Sequence, residues 1–249
     1  RYDNYSDFGS TLNPRLGLVW NTTQQVTTKL LYGRAFRAPS FAELYLANNP
    51  AGVGNKDINP ETIDTLELGF NYTPSSKITS SITFYAYKIN NFINKVPSSI
   101  GIEYKNTGKQ KGRGIEIESS YQATDKILLS LDYAYRWTKN QITNQTVANV
   151  PKHIGHAMFD YSFTQNWYLG SEVFIVADTP REVGDSRKKI NSYEVLNASL
   201  GYKLYKNIDA SIAARNLFDK KYYSPSNTNP INDYPMEGLN VFAELRYRF

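Results

Sequence analysis

The stretch Ile127–Trp137, ILLSLDYAYRW, decides the fold. Ile127, Leu129, Leu131, Tyr133, Tyr135 and Trp137 share one parity, and Ser130, Asp132, Ala134 and Arg136 take the other. A period of two belongs to a β-strand, whose successive side chains point to opposite faces. The pattern recurs at Leu196, Ala198, Leu200, Tyr202 and Leu204 against Asn197, Ser199, Gly201 and Lys203, and at Leu66, Leu68, Phe70 and Tyr72 against Glu67, Gly69 and Asn71. A strand in hydrocarbon must pair every backbone group, so the sheet has to close, and charge is tolerated only on its wet inner wall. Lipid outside and water inside account for both faces.

The rest of the chain agrees with an antiparallel transmembrane β-barrel. No run of roughly 18 apolar residues offers a spanning helix, and the mean hydropathy of -0.51 is polar because a barrel hides its apolar residues on alternate positions. Tyr (20), Phe (12) and Trp (3) are abundant enough to furnish interfacial girdles. Cysteine is absent, which removes disulfides and thiolate metal sites. The net charge of +5 is spread without the basic run that suggests nucleic acid.

Period-two stretches predict eleven strands near 12–20, 25–37, 62–73, 77–93, 112–123, 126–139, 151–164, 166–179, 193–205, 207–218 and 240–249, after a stub at Arg1–Tyr5. Tight connections at 21–24, 74–76, 124–125, 165 and 206 alternate with long ones at 38–61, 94–111, 140–150, 180–192 and 219–239. Short periplasmic turns and long extracellular loops alternate in this way in outer-membrane barrels. Arg34 interrupts the apolar face between Tyr32 and Phe36 and is expected to snorkel at the extracellular rim.

The last strand sets Val241, Ala243, Leu245, Tyr247 and Phe249 outward. Its aromatic end resembles the signal that such proteins present to the barrel-assembly machinery. No signal peptide precedes Arg1, so the expectation is that the true N-terminus lies upstream.

Several segments together resemble the C-terminal part of TonB-dependent outer-membrane receptors. They are Leu31–Tyr45 (LYGRAFRAPSFAELY), Asn59–Tyr72 (NPETIDTLELGFNY), Asn106–Glu118 (NTGKQKGRGIEIE), Ala214–Tyr223 (ARNLFDKKYY) and the RYRF ending at Arg246–Phe249. The resemblance implies that residues 1–249 form half of a barrel of about 22 strands. The plug domain, the N-terminal strands and the segment that contacts the TonB complex would lie outside this chain. It further implies active import of a scarce nutrient chelate, with a ferric siderophore as first expectation and cobalamin or haem as alternatives. A passive outer-membrane porin is the competing class.

Inward charges are expected at Lys29, Arg37, Glu67, Glu116, Glu118, Asp132, Arg136, Asp160, Glu172, Asp209, Arg215, Glu244, Arg246 and Arg248. Most would pair across strands, and the resemblance implies that some hold the plug. His153 and His156 have opposite parity and should face opposite sides, which leaves no nucleophile–base pair; they are also the only imidazole candidates for haem. No enzyme activity, resident cofactor or metal site is therefore expected. Ligand contacts are expected from aromatic and basic residues at the extracellular mouth: Arg37, Phe41, Tyr45, Tyr104, Lys105, Arg181, Tyr222, Tyr223 and Tyr234. The same loops would meet outer-membrane lipid and the phosphates of lipopolysaccharide.

Overall fold

A computed structural model describes residues 1–47, 49, 52–99, 101–226 and 232–249. Eleven strands form one antiparallel sheet in which each main-sheet strand pairs with the next along the chain. In chain order they are β3 (Arg15–Asn21), β4 (Val26–Arg37), β5 (Glu61–Ser75), β6 (Ile78–Ser98), β7 (Gly101–Thr124), β8 (Ile127–Asn140), β9 (His153–Tyr161), β10 (Trp167–Ala177), β11 (Tyr193–Tyr205), β12 (Ile208–Arg215) and β15 (Asn240–Tyr247). Strands β3 and β15 are its two edges. Two short pairs complete the chain: β1 (Tyr2–Tyr5) with β2 (Gly9–Leu12), and β13 (Tyr223–Ser224) with β14 (Tyr234–Pro235).

The expected first strand, 12–20, is split at Asn13–Pro14, because Pro14 has no N–H for the ladder. The backbone continues nonetheless: Asn13 donates to the Arg1 carbonyl at 2.8 Å and the Pro14 carbonyl accepts from Arg34 at 2.9 Å.

Cross-strand register confirms the two faces. Leu18, Leu30, Leu68, Phe84, Ile115 and Tyr135 lie side by side from β3 to β8. Leu200, Ile212 and Ala243 continue an apolar face across β11, β12 and β15. These side chains remain open, with Leu66 and Ile212 each 51% exposed and Leu245 71%. Among the described residues Leu44, Ile58, Ile93, Ile190 and Val195 are the buried aliphatic side chains, so the sheet has no central oily core. An apolar band of this extent on an otherwise polar chain requires a nonaqueous neighbour.

The opposite face is polar but closely fitted. Tyr87 pairs with Gly112, Tyr85 with Gly114 and Tyr168 with Gly201. In each pair the ring packs against the glycine, and a Cβ at Gly112 or Gly201 would stand 2.4 or 1.9 Å from it. Glycine is thus required at these positions for close approach, not for an unusual φ.

One expectation is corrected. Residues 94–111 are not a loop. Strands β6 and β7, 21 and 24 residues long, stay paired almost to their tip at Ser98↔Gly101. A membrane strand needs roughly 9–11 residues, so the remainder of this hairpin rises well clear of the bilayer. The register shifts that separate the two parts, around Ile89–Ile93, broke the period-two signal. The segment 38–61 likewise contains a short helix, α1 (Phe41–Tyr45), closed by a capping box between Ser40 and Glu43.

Replacing Gly201 by Ala should lower stability by about 1–3 kcal/mol through the clash with Tyr168. Gly155→Ala, whose Cβ would meet nothing closer than Ile175 at 3.6 Å, should be close to neutral. Urea unfolding of the two variants refolded in detergent checks the contrast, and equal midpoints would contradict it.

Candidate functional site: the extracellular rim

Two assemblies crown the long-loop end of the sheet. The first braces the tall β6–β7 hairpin. Arg37, at the end of β4, donates to Glu61 at 2.7 and 2.8 Å and to Glu43 of α1 at 2.9 and 3.1 Å. Glu61 in turn accepts from the backbone N–H of Ile93 at 2.8 Å. Asn106 donates to the carbonyls of Asn59 and Asn91 at 2.9 and 2.6 Å and accepts from the Asn59 N–H at 2.6 Å. Asn91 needs this support because its φ is 55°, in the left-handed region. Beneath these bonds Leu44, Ile58 and Ile93 form a small buried cluster against Tyr104.

The second assembly joins the segments after β10 and after β12. Arg181 makes a two-pronged ion pair with Asp233, with Nη1 to Oδ1 at 2.9 Å, and its Nε donates to the Lys188 carbonyl at 2.7 Å. Arg187 grips Asp185 at 2.6 Å and donates to Ser226 at 2.8 Å. Asn216, 2% exposed, donates to the carbonyls of Lys220 and Glu237, both at 2.9 Å, and accepts from the Lys220 N–H at 2.8 Å. Its own N–H donates to Asn197 at 2.8 Å.

These bonds frame a cavity of about 670 Å³. Its wall includes Arg181, Arg187, Lys188, Lys189, Lys220 and Lys221, with Asp233 as its single acid, and the rings of Tyr193, Tyr222 and Tyr223. Tyr193 and Tyr222 pack at 4.6 Å between ring centroids. Lys189 pairs with Asp178, Lys220 with Glu194 and Lys221 with Asp219. Lys188 has no ion pair among the described residues. The arrangement suits a bulky anion with aromatic surface.

The expected contact residues therefore fall into two groups. Arg181, Tyr222 and Tyr223 share the cavity, and Tyr234 is half exposed in the β13–β14 pair beside it. Arg37 and Tyr104 are engaged in the brace, and Lys105 pairs with Glu103 at 3.0 Å. Phe41 and Tyr45 stay exposed on α1 with their rings 6.1 Å apart. Arg187, Lys188 and Lys189, basic residues of the segment 180–192 and expected contacts on the same ground, line the cavity too, whereas Tyr193, Lys220 and Lys221 lie outside the expected set. Only the inward parity of Tyr193, level with Val176 and Ile154, offered a signal from sequence.

The histidines lie on opposite faces. His153 is outside, its Nδ1 2.8 Å from the Tyr133 hydroxyl. His156 is inside, stacked on Phe174, with Nδ1 3.2 Å from Asp132 and Nε2 3.3 Å from Glu172.

Residues 1–217 match the family model described as "TonB dependent receptor-like, beta-barrel". The chain belongs to the TonB-dependent receptors and forms part of their outer-membrane β-barrel. It is 25% identical to the metal-pseudopaline receptor CntO of Pseudomonas aeruginosa over 87% of its own length and 30% of that protein. It is 27% identical to the vitamin B12 transporter BtuB of Vibrio vulnificus over its whole length and 39% of that protein. The ferric enterobactin receptor PfeA of Pseudomonas aeruginosa, solved with enterobactin, superposes with a TM-score of 0.85 at 20% identity, covering 99% of this chain and 42% of that one. The chain thus spans 30% to 39% of the length of these curated relatives.

Two outcomes test the second assembly. The Arg187 guanidinium holds the Asp185 carboxyl down to about 2. A carboxyl lowered on folding stabilises above its unfolded value near 4 and loses that contribution as pH falls through its folded value. Slow amide exchange across 181–190 should therefore survive at pH 4 and give way only on approach to pH 2; loss already at pH 4 would contradict the clasp. Asn216→Ala should cost about 1–3 kcal/mol by stranding buried partners, seen as faster proteolysis within 217–239. Unchanged cleavage would remove its structural role.

Proposed function

We propose that the chain is the C-terminal barrel portion of a receptor that imports a ferric siderophore or similar anionic metal chelate by TonB-energised plug movement, without chemically changing it. The plug, the N-terminal strands and the TonB-contacting segment belong to the remainder of the protein, in keeping with the fraction of each relative that the chain spans. The cavity carries the reading: six cations, five of them held in place by ion pairs, line it beside three tyrosines at the extracellular mouth. The cations attract and desolvate a negatively charged chelate, and the rings offer flat surface to its aromatic groups. The inward charges, including Glu116, Arg136, Glu244 and Arg246, form the wall that the plug meets. Closure of the barrel joins edges β3 and β15 to strands contributed by the rest of the receptor, because an unpaired edge is not tolerated in hydrocarbon.

Haem fits less well: both His156 nitrogens lie beside carboxylates, and His153 faces lipid. Cobalamin is favoured by the match to the vitamin B12 transporter over the whole of this chain, but it gives no role to the concentration of cations.

In the intact receptor, the combined change Lys188→Gln, Lys221→Gln and Tyr222→Ala should weaken binding of a ferric tris-catecholate by at least about tenfold, the worth of roughly 1.4 kcal/mol. Fluorescence quenching titration measures it. Undiminished affinity in a folded variant would remove the cavity as the ligand site.

A further inference from the structure

The outer face carries a row of cations that neither the apolar wall nor the ligand cavity requires. Cross-strand register sets Arg34, Asp64, Lys88, Lys111 and Lys139 side by side on β4, β5, β6, β7 and β8. The next row toward the periplasm on the same face is Tyr32, Leu66, Ala86, Arg113 and Trp137, and below it lie Leu30, Leu68, Phe84, Ile115 and Tyr135. The cations therefore stand directly above the apolar wall, at the long-loop end, where the headgroups of the outer leaflet lie.

Asp64 does not neutralise this row. It is held by Arg34 at 2.7 and 3.1 Å and by the Tyr32 hydroxyl at 2.7 Å. Among the described residues, Lys88, Lys111, Arg113 and Lys139 form no ion pair. Lys111 and Arg113 instead lie over the ring of Trp137, 5.9 and 5.1 Å from its centroid. Like charges on adjacent strands repel, and three lysines in register call for a counter-anion from outside the protein. A groove of about 460 Å³ opens beside Lys88 and Lys111, lined also by Tyr32, Asp64, Leu66 and Trp137, with Lys139 next to Lys111 in register. The character is local. Two rows below, β9 and β10 contribute His153 and Ala177 beside Tyr135, and the rim cation Lys220, after β12, is paired with Glu194 of β11.

We propose that this groove binds lipid A of the outer leaflet, with its glucosamine phosphates on Lys88, Lys111 and Lys139 and its acyl chains lying on Leu66, Leu68, Phe84 and Ile115. Charge complementarity selects the headgroup and the apolar rows beneath it receive the chains. Trp137 and Tyr32 sit at the boundary between them, where amphipathic rings are favoured. Arg113, one row lower, lies over the Trp137 ring and adds a further cation to the groove wall. The site is separate from the ligand cavity, so it holds whichever chelate the receptor imports.

Native mass spectrometry of the intact receptor in mild detergent, titrated with purified lipid A, tests the proposal. Neutralising Lys88, Lys111 and Lys139 to Gln should weaken binding by more than tenfold, at roughly fivefold per cation beside an anionic leaflet. Lys88→Gln alone should give about the single fivefold step and serves if the triple variant does not reach the heat-resistant folded form. Lipid A stripped of both phosphates should bind the wild-type receptor as weakly as the triple variant binds native lipid A. Neutralising Lys77, Lys126 and Lys206, in the periplasmic turns, should change nothing. Wild-type affinity in the folded lysine variants would overturn the site, as would equal loss from the periplasmic set. Phosphatidylglycerol binding as tightly as lipid A would overturn the assignment of its occupant.

Discussion

Backbone hydrogen bonding in hydrocarbon is the constraint on which the rest of this structure depends. Each N–H and C=O of a membrane strand must find a partner on a neighbouring strand, since neither lipid nor water supplies one. That requirement produces the uninterrupted meander from β3 to β15. The meander fixes the register, and the register fixes which residues meet lipid. A slip of one residue in any strand would turn its apolar set into the lumen and its charges into the bilayer. Leu131 and Asp132 are neighbours in sequence yet belong to different solvents.

The extracellular rim obeys a different physics. There water is present, loops are long, and order comes from side chains that satisfy backbone groups. The segments that give this chain its family likeness turn out to be such fastenings. Arg37 and Glu61 lock α1 to the β6–β7 hairpin, Asn106 secures the left-handed Asn91, and Asn216 folds the segment after β12 around itself. Gly108, in the same segment as Asn106, is needed because a Cβ there would stand 2.5 Å from that of Phe92. These residues build a rigid mouth on which less constrained tyrosines and lysines can be displayed. Motifs of this kind identify the scaffold and say little about the cargo.

This division explains what sequence could and could not reveal. Strand positions, faces and the sense of each turn followed from a strict period of two, which membrane insertion enforces residue by residue. The boundaries of β8 and β11 agree with expectation to within a residue. The period fails at the bulges near Ile89–Ile93, so the upper hairpin read as a loop. The cavity was legible only in part. Arg181 and Tyr222 were named for their chemistry, whereas Lys220 and Tyr193 join them only because Asn216 and the Arg181–Asp233 pair draw two distant segments together. The row formed by Lys88, Lys111 and Lys139 was invisible for a related reason: the three lie on separate strands, and only cross-strand register lines them up.

The assignment of faces is the central claim, and it is directly measurable, because this chain contributes no cysteine of its own to compete with an introduced one. Single cysteines introduced at each position from 128 to 136 can carry a nitroxide label in the intact receptor reconstituted in bilayers. Collision with oxygen, which concentrates in lipid, should peak at Leu129, Leu131, Tyr133 and Tyr135. Collision with a water-soluble nickel chelate should be highest at the alternate positions Ser130, Asp132, Ala134 and Arg136, to the extent that the filled lumen admits it. A profile without a period of two, or one of opposite phase, would contradict the account.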